Sequence, residues 1–231
     1  PDVSLISFTG GTTTGEKINR IAAANFKKIS LELGGKNSNV IFSDCDFDKM
    51  IQTTVRSSFS NQGQICLCGS RILVESNLYT RFLKAFIQET KKLKIGPPKD
   101  PKSDLGSIVS KDHKEKILSY VELAKKEGGE VEFGGESITL EGEYSGGFYM
   151  SPTIISGLDM SCRTNQEEIF GPLVTVMPFR SENEALQLAN NSTYGLAATV
   201  WTNDLKKAHR IADNIAAGII WINSWLVRDL R

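Results

Sequence analysis

Ile29-Ser30-Leu31-Glu32-Leu33-Gly34-Gly35 alternates apolar and polar side chains and then halts at paired glycines, the pattern of a half-buried strand with an abrupt end. Glu32 is thereby turned away from the apolar face, close to the strand's carboxyl end. Upstream, residues 3–8 form a short β-like run that breaks at Thr9-Gly10-Gly11-Thr12-Thr13-Thr14-Gly15, and residues 17–26 read as a helix. Downstream, Val40-Ile41-Phe42 is a further strand. Ser43 followed three residues later by Asp46 resembles a capping box for a helix over 47–60, which Asn61-Gln62-Gly63 ends.

The alternation continues along the chain. Residues 72–74 read as strand, and Leu78, Phe82, Phe86 and Leu93 lie near one face of a helix closed by Gly96-Pro97-Pro98. Ile117, Leu118, Val121 and Ala124 mark a helix ended by Gly128-Gly129, with a strand at 131–133 and a Gly/Glu/Ser-rich loop over 134–147. Residues 173–179 are β-rich, Ser181 and Glu184 form another capping box, and 197–201 is strand. Asp204 caps a helix ending near Gly218, and 219–222 is a last buried strand. Strands alternating with helices of these lengths predict an α/β fold with a mostly parallel, doubly wound sheet.

Composition narrows the function classes. The chain has 231 residues, 40% of them apolar and 23% charged, which is ordinary globular usage. Lys plus Arg and Asp plus Glu are both 27, so no long-range field favours nucleic acid or an anionic membrane, and a small, locally recognised partner is expected. The apolar run Gly218-Ile219-Ile220-Trp221-Ile222 is far short of the roughly 20 residues of a membrane helix. Pro1 is neither an initiator Met nor the start of a secretory signal, and the chain reads as an internal piece of a longer protein. Cys45, Cys66, Cys68 and Cys162 form no C-x-x-C pair and the histidines are His113 and His209, which argues for free thiols in a reducing cytosol and against a metal site.

Four segments are candidates for chemistry. In Asn61-Gln62-Gly63-Gln64-Ile65-Cys66-Leu67-Cys68 a thiol sits in a Gly- and amide-rich turn, where a sulfur can be exposed and backbone N–H groups aimed at an oxyanion. A small buried hydrophobe is the common alternative for any cysteine, and the reading for Cys68. Glu32, before Gly34 and Gly35, is either a general base or a solvated carboxylate. Glu167-Glu168-Ile169-Phe170-Gly171-Pro172 sets carboxylates able to bind a ribose diol beside an aromatic able to face a nicotinamide; surface charge plus a core Phe is the alternative. The glycine-rich turn at 10–15, between a strand and a helix N-terminus, suits a phosphate but is not the G-x-G-x-x-G fingerprint.

Taken together, Phe8-Thr9-Gly10, Leu31-Glu32-Leu33-Gly34-Gly35-Lys36, Asn61-Gln62-Gly63-Gln64 before Cys66, Glu168-Ile169-Phe170-Gly171-Pro172, Tyr194-Gly195-Leu196 and Trp221-Ile222-Asn223 resemble the NAD(P)-dependent aldehyde dehydrogenase superfamily across essentially the whole chain. The resemblance implies that Cys66 is the nucleophile and Glu32 the general base. It also implies that Glu168 and Phe170 hold the nicotinamide ribose and ring and that Gly10, Gly11 and Gly34 lie at the cofactor. The family often has Ser where this chain has Gly11. His113 and Lys116 fall in a segment that lines the nicotinamide ribose in some relatives, and a plain surface helix accounts for them equally. The implied organisation is the end of an NAD-binding domain over 1–33 and a thiol-bearing catalytic domain over 34–231.

Ile65-Cys66-Leu67-Cys68 and Trp225-Leu226-Val227-Arg228-Asp229-Leu230-Arg231 are similar to the muconic semialdehyde dehydrogenase branch of that family, of the 2-aminomuconic and 2-hydroxymuconic types. A substrate carrying a carboxylate needs a cationic anchor, for which Arg228 is the candidate, with a structural ion pair as the alternative. The implied cofactor is NAD, with NADP left open. The implied partners are a small-molecule aldehyde and further copies of the full-length protein in a dimer or tetramer. General aliphatic or betaine-type aldehydes and a catalytically incomplete homologue are the alternatives. The family's Pro-Trp-Asn segment, source of a second oxyanion donor, and its Lys-Pro-Ser-Glu segment do not occur here, so the isolated chain is expected to bind NAD poorly and turn over weakly.

Overall fold

The computed structural model describes residues 2–227, which fall into two compact units divided between Gly35 and Lys36. In the smaller unit, β1 (Leu5–Thr9) runs parallel to β2 (Lys28–Glu32) and is joined to it by α1 (Thr12–Ala24). The helix begins five residues before the position expected from propensity. Gly15 is the reason: a Cβ there would come within 2.5 Å of Leu33 Cδ2, so glycine lets the first turn of α1 settle on Leu33. The helix also stops short of Phe26, whose φ of 53° reverses the chain and leaves its ring 97% exposed.

The larger unit runs β3 (Asn37–Ile41), α2 (Phe47–Phe59), β4 (Gly69–Glu75), α3 (Tyr79–Thr90), α4 (Lys111–Lys126), β5 (Glu130–Phe133), β6 (Ser137–Ile138), β7 (Tyr149–Met150), β8 (Thr153–Ser156) and α5 (Arg163–Gln166). It continues with β9 (Leu173–Phe179), α6 (Glu182–Asn190), β10 (Ala197–Trp201), α7 (Leu205–Asn214) and β11 (Ile219–Ile222). Seven strands form one sheet in the order β11-β10-β3-β4-β9-β8-β5, parallel throughout except for the β5–β8 pair. Successive residues of the central strands feed opposite faces. Ile41, Ile72 and Val74 pack with Met50, Phe59, Phe82 and Phe86 on one side, while Val40, Phe42 and Leu73 pack with Ala185, Ala189 and Ile211 on the other. Helices thus cover both faces of the sheet, the doubly wound arrangement expected.

Several local expectations are corrected. Asp46 rather than Ser43 caps α2: it directly precedes Phe47 and its carboxylate accepts from Lys49 N at 3.2 Å, while the Ser43 backbone N–H, which a capping box would offer to Asp46, is bonded to Glu75. Ser181 and Asp204 do cap α6 and α7. The 134–147 segment is not all loop, since β6 pairs antiparallel with β7. The four-residue strand β8 shows no alternation in sequence because all its residues are buried. The last strand, β11, lies at the sheet edge and is only half-buried, with Ile219 40% exposed. Among the described residues no helix is long and apolar enough to cross a membrane.

Candidate active site

The Cys66 turn begins where α2 stops. Asn61, Gln62 and Gly63 adopt φ of 50°, 57° and 69°, three consecutive left-handed residues that reverse the chain. Their side chains hold this conformation. Gln62 Oε1 accepts from Gly106 N at 3.1 Å and Gln62 Nε2 donates to Ser107 O at 3.2 Å, while Gln64 Oε1 accepts from Val109 N at 3.1 Å. Asn61 Nδ2 donates to Gln64 O at 3.1 Å. The amides of this motif therefore brace backbone. Glycine is required at 63 by close approach as well as by φ, because a Cβ would stand 2.2 Å from Gly171 O. The turn carrying Cys66 is thus wedged against the Gly171-Pro172 end of the Glu167–Pro172 run.

Residues 65–68 form a tight turn closed by Cys68 N donating to Ile65 O at 3.0 Å. Trp225 Nε1 donates to Leu67 O at 2.9 Å, and Asn37 Nδ2 donates to Cys66 O at 2.7 Å and Cys68 O at 2.9 Å. Cys66 is half-buried beside Leu67, Ala197, Trp221 and Trp225. Burial pushes Cys68 up to about 12 and Cys45 up to about 11, the latter with Asp44 adding to the effect. Burial also raises Cys162. Cys68 packs, as its sequence position suggested.

One face of α4 organises the Glu167–Phe170 run. The His113 Nε2–H donates to Phe170 O at 2.6 Å, which assigns the proton to that nitrogen, and Lys116 Nζ donates to Glu168 O at 3.2 Å. One turn further along, the Tyr120 hydroxyl donates to the Glu167 carboxylate, which also takes Arg163 Nε at 2.7 Å and Nη2 at 3.1 Å. Those bonds, Arg163 first, hold the Glu167 carboxyl below its usual range, and burial followed by the Glu167 bond pushes the Tyr120 phenol up to about 12. The Glu167 carboxylate is thus engaged by Tyr120 and Arg163. Phe170 has φ 59° and a ring 37% exposed, edge-on to His113.

Lys36 is buried, its amine brought down to about 7 by burial and then by Arg71, against the pull of Cys162, Glu168 and Glu167. Arg71, also buried, donates to the carbonyls of Lys36, Leu188, Ala189 and Asn191 at 2.9–3.1 Å.

In the smaller unit Glu32 is the last residue of β2 and is exposed. Gly10 N donates to Glu32 O at 3.0 Å, and Gly11 is the N-cap of α1, with no side chain capping that helix. A Cβ at Gly11 would meet nothing within 4 Å, so the family's frequent Ser fits there. Gly34 is half-buried in the extended segment after β2. Arg228 lies outside the described residues. Sequence reading overlooked Asn37, Tyr120, Arg163 and Trp225; a polar triplet, Asn37-Ser38-Asn39, opening a buried strand was the available signal for the first.

A sequence profile of the aldehyde dehydrogenase family matches residues 1–231. The chain is 51% identical over 233 residues to 2-aminomuconic semialdehyde dehydrogenase of Danio rerio and 46% identical over 231 residues to 2-hydroxymuconic semialdehyde dehydrogenase of Pseudomonas sp. (strain CF600), in each case over 100% of this chain and 48% of the relative. The chain therefore spans about half the length of these relatives. Among solved structures, betaine aldehyde dehydrogenase from Staphylococcus aureus in complex with NAD+ superposes with a TM-score of 0.93 at 42% identity, covering 98% of this chain and 45% of that one.

Proposed function

The chain belongs to the aldehyde dehydrogenase family, and from that premise we propose that it is the thiol-bearing part of an enzyme that oxidises an aldehyde to a carboxylic acid with NAD. The observation that carries this reading is the Cys66 turn: a half-buried sulfur on a backbone braced by side chains, wedged against the Glu168–Pro172 motif. Residues 1–33 are read as the end of the NAD-binding domain and 34–231 as the catalytic domain.

The residues fit the cofactor. Phe170 is an exposed ring on a backbone pinned by His113, suited to a nicotinamide face, and the N-terminus of α1 after Gly10 and Gly11 carries no side-chain cap, suited to a pyrophosphate. Glu168 is assigned to the ribose, as the family resemblance implies, and its neighbour Glu167 bonds Tyr120 and Arg163. When bound, NAD+ supplies the hydride acceptor that converts the Cys66 adduct to a thioester.

The protein's own part is as follows. The Cys66 thiolate forms a C–S bond to the aldehyde carbon while the carbonyl electron pair moves to oxygen, giving a thiohemiacetal alkoxide stabilised by the Cys66 backbone N–H. After oxidation to the thioester, the Glu32 carboxylate takes a proton from water. The water oxygen attacks the acyl carbon, the C–S bond breaks, and the acid leaves with Cys66 again a thiolate.

The names of the relatives support, as substrate, a small unsaturated semialdehyde bearing a carboxylate, of the 2-aminomuconic or 2-hydroxymuconic type, and Arg228 is the proposed anchor for that carboxylate. Betaine-type aldehydes are the second reading, favoured by the solved neighbour. The same reading makes the full-length protein a homo-oligomer of the reducing cytosol, where the cysteines of this chain stay outside disulfides. A spectrophotometric screen of the full-length protein for NADH or NADPH formation tests it. Higher kcat/KM with muconic semialdehydes than with betaine aldehyde is expected, and no reduced cofactor with any aldehyde overturns the reading.

A further inference from the structure

We propose that Asn37 is the positioning residue of the nucleophile, its single buried amide fixing the backbone on which the Cys66 sulfur is carried. This rests on Cys66 being the nucleophile, and concerns what holds it.

Asn37 opens β3 and is 4% exposed. Its amide is committed in three directions: the two Nδ2 protons go to Cys66 O at 2.7 Å and Cys68 O at 2.9 Å, and Oδ1 accepts from Ala197 N, the first residue of β10, at 3.1 Å. A single side chain thus ties the thiol turn to the strands on which the sheet is built. Where β3 meets β4 the register shifts: Asn37 lies opposite Gly69 and Ser38 opposite Arg71, leaving Ser70 as an extra residue. Such a bulge re-aims side chains out of the sheet's alternation.

The consequence for the sulfur comes from peptide planarity. In a trans peptide the carbonyl of one residue and the N–H of the next are fixed in one plane and point opposite ways. The plane preceding the Cys66 Cα is held by Ile65 O accepting from Cys68 N, and the plane following it by Cys66 O accepting from Asn37. With both planes fixed, χ1 is the one torsion left between backbone and Sγ. The next carbonyls, Leu67 O and Cys68 O, are taken by Trp225 and Asn37, so the turn has no peptide free to flip.

Two residues along the same strand stands a natural control. Asn39 is equally buried, but its Nδ2 donates to Thr54 Oγ1 at 3.0 Å, within the packing of α2 on the sheet. Losing that bond weakens the core without touching the thiol turn.

The test uses the full-length protein carrying Asn37→Ala, Asn37→Asp, Asn39→Ala or Cys66→Ala. Two quantities are read: kcat and KM, and the ratio of Cys66 to Cys162 alkylation by iodoacetamide across pH, mapped by peptide mass spectrometry. N37A is expected to lower kcat by about tenfold or more with the KM for NAD+ changed less than about twofold, as misplacement of a reacting group does, and to change the alkylation ratio. In N37D the acceptor for Ala197 is kept; protonated, the new carboxyl donates to one carbonyl, and ionised it repels both, so its defect grows as pH rises. N39A is expected to lower stability with the ratio unchanged. Should N37A not accumulate folded, Asn37→Ser carries the same comparison. Parental kcat and alkylation ratio in the folded Asn37 variants, or defects that N39A reproduces, would overturn the proposal. Turnover surviving C66A would instead overturn the nucleophile assignment, a result distinct from any the Asn37 variants give.

Discussion

Two turns in this protein, each following a secondary-structure element and rich in glycine, are held in opposite ways. The thiol turn of the larger unit is fixed by side chains: Asn37, Gln62, Gln64 and Trp225 all bond its backbone or its neighbours. Among the described residues the Gly10-Gly11 turn of the smaller unit is held by backbone bonds, Gly10 N to Glu32 O and the N–H groups of Thr14 and Gly15 to Gly11 O, and α1 starts without a side-chain cap. A nucleophile gains from immobility, since a thiolate must meet a carbon along one approach. An anion cradle gains from N–H groups not spent on a cap.

Breaking the first turn at its sulfur has the largest expected effect. Cys66→Ser in the full-length protein should cut steady-state NADH formation by more than about a thousandfold, whereas Cys68→Ser, at a packed thiol, should retain most of it; comparable losses would erase the distinction. Glu32→Gln should lower steady-state turnover by about 100- to 10,000-fold while leaving a rapid first burst of NADH, visible by stopped flow. A missing burst would move Glu32 from hydrolysis to an earlier step.

The contrast sharpens with stability. Gly63→Ala must place a methyl 2.2 Å from Gly171 O at a φ of 69°, and should cost about 2–4 kcal/mol by urea unfolding. The buried Lys36 amine gives a smaller, pH-dependent effect. Its folded value of about 7 lies below the ordinary 10.5, so between those values the unfolded chain binds more protons and stability rises with pH, at most by about 1.4 kcal/mol per pH unit. Lys36→Met should flatten that rise between pH 7 and 9 in denaturation midpoints. Least of all, Gly11→Ser, with open space around its Cβ and a hydroxyl to cap α1, should raise stability by about 0.3 kcal/mol.

How far the sequence reveals this depends on range. The strands and helices were legible because their apolar periods are local, as were the caps Ser181 and Asp204. The failure of the Ser43–Asp46 capping box was not, because the Ser43 backbone N–H goes to Glu75, more than thirty residues away. The start of α1 was hidden for the same reason, being set by Leu33 against Gly15. At the candidate site the resemblance carried by the motifs already implied roles for Cys66, Glu32 and Glu168, but not what holds them. The bonds of Tyr120 and Arg163 to Glu167, and of Asn37 to the carbonyl of Cys66, join residues far apart in the chain and come only with the fold.

The central claim, that Cys66 carries the acyl group, is tested most directly by acid-quenching full-length E32Q after mixing with NAD+ and 2-hydroxymuconic semialdehyde, then mapping the added mass by peptide mass spectrometry. The account predicts an acyl adduct on the peptide containing Cys66 and confined to that sulfur. An adduct on Cys45, Cys68 or Cys162, or NADH formed with no acylated cysteine, would contradict it.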